Sequence, residues 1–304
     1  MFRQFALALI PIALAGSFAV AADTAKLTAA EVVEKNVAAR GGLQAWRAVQ
    51  TMAFTGKLGA GGNQRATLQT PNPGGRASSQ VSVRKSRPQS YSNRPAEEAQ
   101  LPFLMELARP RKMRFELEFN GQTALQVYDG VNGWKLRPFL NRRQVEPYTD
   151  DELQTAARQA DLDGPLMDYA AKGTKIALEG MEKVEERDNY KLKLTMSNGN
   201  EVHVWIDAQS FLETKIEGQP RRLDGTLHPV EVYFRDYREV SGLKIPFLLE
   251  TKVLSVGKNA LGLRDTPVPP ERITIEKVVV NPKLDEAHFR RPDANAGSSA
   301  KLIQ

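Results

Sequence analysis

Three histidines and a few close pairs of carboxylates are the residues of this 304-residue sequence that could support acid–base or metal chemistry. His203, His228 and His288 are far apart in the chain, and none belongs to the His-Glu-x-x-His pattern that places two zinc ligands on one helix face. The sequence contains no cysteine, which excludes thiol chemistry. It also lacks the Gly-x-Ser-x-Gly turn of serine hydrolases and the glycine-rich loops that bind phosphates or dinucleotides. We therefore predict a protein that is not an enzyme and holds no metal or cofactor; a hydrolase with a dispersed site is a remaining alternative.

The carboxylate pairs are explained by their positions near helix ends. Asp150 and Asp151 fall in the first turn of a predicted helix, where negative charge interacts favourably with the helix dipole. Asp161 and Asp163 fall where that helix breaks, and we interpret them as caps. His203 alternates with apolar neighbours and is predicted to lie on the outer surface of a strand. No catalytic role is predicted for these groups.

The first predicted helix follows the capping box formed by Thr28 and Glu31, whose hydroxyl and carboxylate can satisfy the free amides of the first turn. Gly41-Gly42 is predicted to end this helix, because glycine readily adopts the left-handed conformation that stops one.

A second capping box, Thr149 and Glu152, begins another helix. Gly164-Pro165 breaks it, and a second helical piece ending at Gly173 is predicted to follow. That piece carries Leu166, Met167 and Tyr169.

Most of the remaining sequence is typical of strands. Met113 to Phe119 alternates apolar residues with Arg114, Glu116 and Glu118, which predicts one wet face. Further strands are predicted at 51–58, 123–128, 134–139, 175–178, 190–196, 201–206, 211–217, 230–237, 245–254 and 271–280. Their short connections predict antiparallel pairing, and a sheet of this size tends to curl toward a barrel. We predict an α+β fold: a large curved antiparallel sheet forming an open half-barrel, with helices covering the concave side.

Residues 1–21 have the features of a cleaved export signal. Arg3 precedes an apolar run that is shorter than the roughly 20 residues needed to cross a bilayer, and Ala19 and Ala21 suit signal peptidase. We expect cleavage near Ala21/Ala22, a periplasmic location, a domain at 22–290 and a disordered tail at 291–304. With no cysteine to acylate and no later apolar span, we predict neither a lipid anchor nor a transmembrane protein.

Positive charge is concentrated in one part of the chain. Residues 60–112 contain nine basic and three acidic residues, a difference equal to the formal net charge of +6. Within it, residues 60–100 are rich in Gly, Ser, Asn, Gln and Pro, which predicts a mobile basic insertion with one short strand near Gln80 to Arg84. Its basic side chains are expected to be solvated or to contact anionic lipid or an acidic partner. No aromatic residues interleave with them in a stacking pattern, so nucleic-acid binding is not predicted.

Seven segments, in this order, resemble the periplasmic outer-membrane lipoprotein-sorting family (LolA-like). They are Arg40 to Leu43, Arg109 to Glu116, Phe119 to Thr123, Tyr128 to Trp134, Ala160 to Leu166, Trp205 to Asp207 and Asp236 to Pro246. The resemblance covers the chain from about Leu27 to Phe289, and the basic insertion departs from it. It implies an open half-barrel whose lidded, apolar side carries lipoprotein acyl chains or other lipids.

The predicted function is periplasmic binding or transport of a lipid-like hydrophobic ligand, such as lipoprotein acyl chains. The predicted ligand-binding residues of the sheet are Phe54, Met113, Phe115, Leu117, Trp134, Leu136, Val204, Ile206, Phe247 and Leu249, with Leu166, Met167 and Tyr169 as the lid. A one-residue error in register would invert the direction of any of these strand residues. The alternative is an envelope adaptor or stress-signalling regulator that binds a membrane-associated or envelope protein through the insertion or a sheet edge.

Overall fold

A computed structural model of the protein describes residues 27–60, 99–138, 142–223, 225–258, 262 and 268–293. The predicted signal at 1–21, the interior of the predicted insertion with its short strand near Gln80, and the predicted tail from residue 294 lie outside the described residues.

The described residues form helices and strands in the following order. The helices are α1 (Ala29–Ala39), α2 (Leu43–Ala48), α3 (Asp150–Gln159) and a 3₁₀ helix at Glu286–Phe289. The strands before α3 are β1 (Thr51–Ala60), β2 (Ala99–Ala108), β3 (Lys112–Phe119), β4 (Gln122–Tyr128), β5 (Gly133–Arg137) and β6 (Arg142–Pro147). The strands after it are β7 (Lys175–Val184), β8 (Arg187–Thr195), β9 (Glu201–Asp207), β10 (Glu213–Glu217), β11 (Arg221–Leu223), β12 (Thr226–His228), β13 (Val230–Val240), β14 (Leu243–Val253) and β15 (Glu271–Val280).

Thirteen of these strands form one antiparallel sheet in the order β6-β5-β4-β3-β2-β1-β15-β14-β13-β10-β9-β8-β7, and β11 and β12 form a separate hairpin. The edge strands β6 and β7 are consecutive in sequence, so the chain crosses from one edge to the other through a connection at 148–174 that contains α3. Near the middle, β1 pairs with β15 and joins the two ends of the described chain. The predicted α+β fold is confirmed: one large antiparallel sheet forms an open half-barrel with helices on its concave side.

Both predicted capping boxes are present. The Thr28 backbone N–H donates to the Glu31 carboxylate at 2.7 Å, and the Thr149 backbone N–H donates to the Glu152 carboxylate at 2.8 Å. Helix α1 ends before Gly41, whose φ of 113° is in the region that favours glycine. A Cβ at Gly41 would lie 2.3 Å from the Gly242 carbonyl oxygen, so this glycine also lets α1 approach the β13–β14 turn.

The predicted second helical piece is wrong. Residues 161–173 form successive turns, because side chains from elsewhere in the chain take up the polar groups of this segment. Arg40 donates to the Asp163 carbonyl oxygen, and Arg47 forms two hydrogen bonds with the Asp168 carboxylate. These tertiary contacts override the local helical preference.

The sequence did not predict β2, β6 or the β11–β12 hairpin. Strand β2 contains Pro102 and follows polar sequence, but its pairing with β3 begins only at Phe103, so the proline lies outside that ladder. Strand β6 is a polar edge strand without apolar alternation.

The predicted wet face of β3 is also wrong in its central part. Glu116 is buried and forms an ion pair with Arg114 at 2.6 Å. Arg114 in turn donates to the His288 carbonyl oxygen, because the 3₁₀ helix packs across β3 on this outer side.

Candidate ligand-binding site

The inner face of the sheet, defined as the face that carries Met52 and Phe54, is covered in part by the helices. Directly paired residues of neighbouring strands share a face, so Met52 places Leu107 and, through it, Met113 on the same side. These three residues are buried together with Trp46 of α2 and with Ala156 and Ala160 at the end of α3. We call this group, with the other buried residues around it, the first cluster.

Toward the opposite ends of the same strands the inner face is only half-buried. Ile273 pairs with both Leu249 and Leu58, and Leu58 pairs with Leu101. The series continues through Leu117, opposite Phe103, and through Phe115, opposite Met105. We call the half-buried members of this series the apolar strip: Leu58, Leu101, Met105, Phe115, Leu117, Leu249 and Ile273.

The other half of the sheet carries a second cluster that is sealed. Val32 and Val33 of α1 pack there with Leu166 and with strand residues Leu192, Leu194, Val204 and Ile206, and none of these seven is more than 2% exposed. Leu166 belongs to this second cluster, whereas its neighbour Met167 belongs to the first. The connection at 148–174 therefore inserts consecutive side chains into both halves of the inner face.

Ion pairs hold this connection in place. Arg109 donates to both carboxylate oxygens of Asp163, at 2.6 and 3.1 Å, and also to the carbonyl oxygens of Trp46 and Val49. Asp163 is only 4% exposed, and both of its carboxylate oxygens accept from Arg109, so its predicted role as a helix cap is wrong. Asp163 instead anchors the connection to the C-terminal end of β2. Asp161 likewise forms an ion pair, with Lys172 at 2.8 Å.

A buried ion pair joins the end of α1 to the half of the sheet that carries the second cluster. The Arg40 guanidinium lies 3.0 Å from the Glu213 carboxylate, and the Tyr237 hydroxyl donates to the Glu213 carbonyl oxygen at 3.0 Å. Burial, reinforced by the negative charge of Glu213, raises the pKa of Tyr237 well above its ordinary value. Tyr237 is therefore a neutral donor at physiological pH.

The predicted site residues fall into three groups. The first cluster and the half-buried residues packed on it bring together Phe54, Met113, Phe115, Leu117, Met167, Phe247 and Leu249. The second cluster brings together Leu166, Val204 and Ile206, with Tyr169 packed against it.

Trp134 and Leu136 form the third group, and their predicted inward direction is wrong. They pair with Val127 and Leu125 on the outer face, while the intervening Lys135 pairs with Gln126, which itself pairs with Phe115 on the inner face. Alternation in the short strand β5 indicates that Trp134 and Leu136 share a face, but only the pairing with β4 shows that this face is the outer one.

Four members of the apolar strip were not predicted from the sequence: Leu58, Leu101, Met105 and Ile273. Leu58 follows Phe54 at a spacing of four in β1, so strand periodicity could have found it. Met105 lies in the unpredicted strand β2, and Ile273 owes its position to the pairing of β15 with β1.

A half-open pocket of ≈ 220 Å³ lies beside the strip, between α3 and the inner face of β4 and β5. Gln126, Lys135 and Arg137 line it from the sheet. Tyr148 and α3 residues, including Asp151 and Glu152, line it from the connection.

The three histidines have structural partners. His203 lies on the face of β9 opposite Val204 and contacts Glu217 at 2.8 Å and Glu179 at 3.2 Å. His228 contacts the Leu254 carbonyl oxygen, and His288 contacts Glu106. Within the part of the chain that the structure describes, no group of three or more potential ligands could hold a metal ion.

No protein-family model matches the sequence, and no curated protein matches it. Solved structures do match. A DUF1329 family protein from Desulfovibrio piger has a TM-score of 0.50 at 11% identity, covering 86% of this chain and 97% of that one. The two chains share a fold along most of their lengths.

Two further structures match at lower TM-scores. A LolA superfamily protein from Nitrosomonas europaea has a TM-score of 0.49 at 13% identity, covering 87% of this chain and 98% of that one. A domain described as an outer membrane lipoprotein-sorting protein, from Vibrio parahaemolyticus, has a TM-score of 0.45 at 11% identity, covering 85% and 94%. At such identities the likeness concerns the fold alone. Among the described residues, no helix has both the length and the apolar character to cross a membrane.

Proposed function

We propose that this protein is a periplasmic carrier of a lipid-like ligand, whose apolar chain lies on the apolar strip. The observation that carries the proposal is the continuity of the strip. Half-buried aliphatic and aromatic side chains follow one another across five neighbouring strands, from Leu249 in β14 to Leu117 in β3. Contiguous, partly exposed apolar surface beside a lid is typical of a binding site for an apolar ligand.

The construction of the sheet supports this proposal. The ring of Phe115, a member of the strip, stacks on the buried Phe103 ring at a centroid distance of 5.7 Å. The connection anchored by Arg109 and Asp163 closes one end of the inner face, so a chain on the strip would be enclosed on one side and accessible on the other. Such a geometry suits reversible uptake and release of an apolar chain.

The export signal predicted from residues 1–21 supports a periplasmic location. Lipoprotein acyl chains, as implied by the family resemblance, are one candidate cargo. The strip offers apolar area without a pattern of polar groups, so the proposal concerns the apolar, chain-like character of the ligand.

The test is binding of N-phenyl-1-naphthylamine, a neutral probe that fluoresces in apolar surroundings. Wild-type protein is expected to bind it, and Leu117→Glu is expected to bind at least tenfold more weakly, because a carboxylate on the strip would have to be desolvated. Met181→Glu is the matched control, since Met181 is 54% exposed on β7, away from the strip.

Two results would overturn the proposal. One is the absence of probe binding to wild-type protein together with the absence of co-purifying lipid in native mass spectrometry. The other is equal loss of probe binding in Leu117→Glu and Met181→Glu while both variants retain wild-type circular dichroism spectra.

A further inference from the structure

The connection between β10 and β13 folds back toward the half-buried end of the inner face. It contains the β11–β12 hairpin, in which Arg221 donates two hydrogen bonds to the Glu271 carboxylate, both at 2.8 Å. Glu271 lies two residues before Ile273 in β15, so its side chain is on the inner face at the end of the apolar strip. Because β13 and β14 separate β10 from β15 in the sheet, the hairpin extends across two strands to make this contact.

The contact crosses one row of paired residues. Glu271 pairs with Thr251 in β14, and Thr251 pairs with Val232 in β13. The next row toward the middle of these strands contains Ile273 and Leu249 of the strip. The hairpin therefore lies across the inner face directly beside the β14 and β15 members of the strip.

Apolar surface continues from the strip toward the hairpin. Leu249 pairs with Phe234 in β13, and both Phe234 and Val232 are half-buried side chains of the inner face. Val232 pairs in turn with Ile216 of β10, which packs against the second cluster. The hairpin thus stands where the half-buried and the sealed parts of the inner face meet.

The hairpin has one face toward the sheet and one toward solvent. Directly paired residues share a face, which groups Arg221, Leu223, Thr226 and His228. His228 is buried and contacts the Leu254 carbonyl oxygen at 3.0 Å, whereas Leu227, on the other face, is exposed. The face that carries Arg221 is therefore the covered one.

The closed position of the hairpin is weakly held. The side chains of Arg221 and Glu271 are 41% and 30% exposed, so water and salt can screen their attraction. The Thr226 hydroxyl is buried and, among the residues that the structure describes, has no hydrogen-bond partner. An unsatisfied buried hydroxyl costs free energy that contact with water would recover. Both features favour a hairpin that can open.

We propose that the β11–β12 hairpin is a gate held shut by the Arg221–Glu271 ion pair, and that it swings away to admit and release the apolar chain of the ligand. This inference rests on the proposed function, because it assigns the path taken by the ligand that lies on the strip. Opening exposes Val232 and Phe234 and so extends the strip into β13. Loss of the ion pair speeds passage and leaves the strip residues that hold the chain unchanged.

Release of a pyrene-labelled fatty alcohol into phosphatidylcholine vesicles, followed by stopped-flow fluorescence, tests the gate. Arg221→Met is expected to release the alcohol about fivefold faster than wild-type protein. Added sodium chloride is expected to speed release from wild-type protein but not from Arg221→Met, because salt screens the ion pair. The matched control is Arg235→Met, which removes a similar two-bonded pair with Glu185 and is expected to keep the wild-type rate.

Locking the hairpin shut gives a second readout. The sequence contains no cysteine, so a variant that carries both Arg221→Cys and Glu271→Cys can be bridged specifically by a short bis-maleimide. The same variant with both thiols capped by N-ethylmaleimide is the control. Bridged protein is expected to take up and release the alcohol at least tenfold more slowly than capped protein.

The outcomes separate the gate from the proposed function. Equal release rates in the bridged and capped proteins, or the same rate in Arg221→Met as in Arg235→Met, would overturn the gate. Binding of N-phenyl-1-naphthylamine by wild-type protein would leave the proposed function intact in that case. No binding of either probe by wild-type protein would overturn the proposed function, and the gate would fall with it.

Discussion

The two halves of the inner face are built by the same alternation of apolar residues, yet they are closed to different degrees. In the second cluster, around Leu192 and Ile206, helix α1 and Leu166 cover the strands completely. In the half that carries the first cluster, α2, α3 and Met167 cover only one end of the inner face, and the apolar strip remains half-buried. The difference lies in what packs on the sheet rather than in the strands themselves. A closed half can supply stability, and a partly open half can supply binding.

The largest effect is expected for Arg109→Met, which leaves the buried Asp163 carboxylate without its main partner. Loss of one member of a buried ion pair typically costs about 3–5 kcal/mol, and the connection that divides the two halves should loosen. Urea unfolding measures this change in the free energy of unfolding.

The control for that variant is Arg187→Met. Arg187 is 61% exposed where it faces Asp207 at 3.5 Å. The buried Asp207 carboxylate also accepts hydrogen bonds from the Gln209 and Ser210 backbone N–H groups, so losing the solvent-screened Arg187 is expected to cost only roughly 0–1 kcal/mol. Equal destabilisation by the two variants would contradict an anchoring role for Arg109.

The same substitution in the two halves tests their difference directly. Leu192→Ala removes a fully buried side chain and is expected to cost about 2–5 kcal/mol without changing probe affinity. Leu117→Ala removes a half-buried one and is expected to cost only about 1 kcal/mol while weakening the probe. Paired unfolding and probe titrations measure both quantities; the reverse pattern would assign binding to the sealed half.

The helices that cover the two halves can be weakened one at a time. Thr28→Ala removes the hydroxyl cap of α1 over the second cluster, and Thr149→Ala removes that of α3 over the first cluster. Each is expected to cost about 1 kcal/mol. Only Thr149→Ala should also weaken probe binding, because α3 packs on the first cluster next to the apolar strip. A greater loss of probe binding in Thr28→Ala would contradict the assignment of binding to this half.

The smallest effect concerns pH. The folded-state pKa of Glu152 is below the ordinary value of 4.5, so its contribution to stability is complete above that value and is lost as the pH falls through the folded pKa. Between pH 7 and pH 3, wild-type protein should therefore lose slightly more unfolding free energy than Glu152→Gln. An equal loss in both proteins would show that Glu152 is not stabilised by its partners.

Local sequence signals predicted the features that depend on neighbouring residues. Both capping boxes, the stop at Gly41 and the positions of most strands are confirmed, because each depends on a few adjacent side chains. The open half-barrel followed from many short antiparallel connections, and the fold comparison agrees.

What sequence could not predict depends on contacts between distant residues. Asp163 looked like a cap because its partner, Arg109, is 54 positions away. Trp134 and Leu136 were assigned to the wrong face because only the pairing of β5 with β4 fixes the register. The partial exposure of the apolar strip depends on how far the connection at 148–174 extends across the sheet, and no local sequence pattern encodes that distance.

The most direct test of the account is photo-crosslinking with a diazirine-bearing palmitoyl glycerol ester, followed by peptide mapping. We expect label in peptides that contain the strip, in particular around Leu58, Met105, Leu117 and Ile273, and little label in β8 and β9. Label concentrated at Leu192 to Ile206, or spread evenly over the surface, would contradict the assignment of binding to the partly open half.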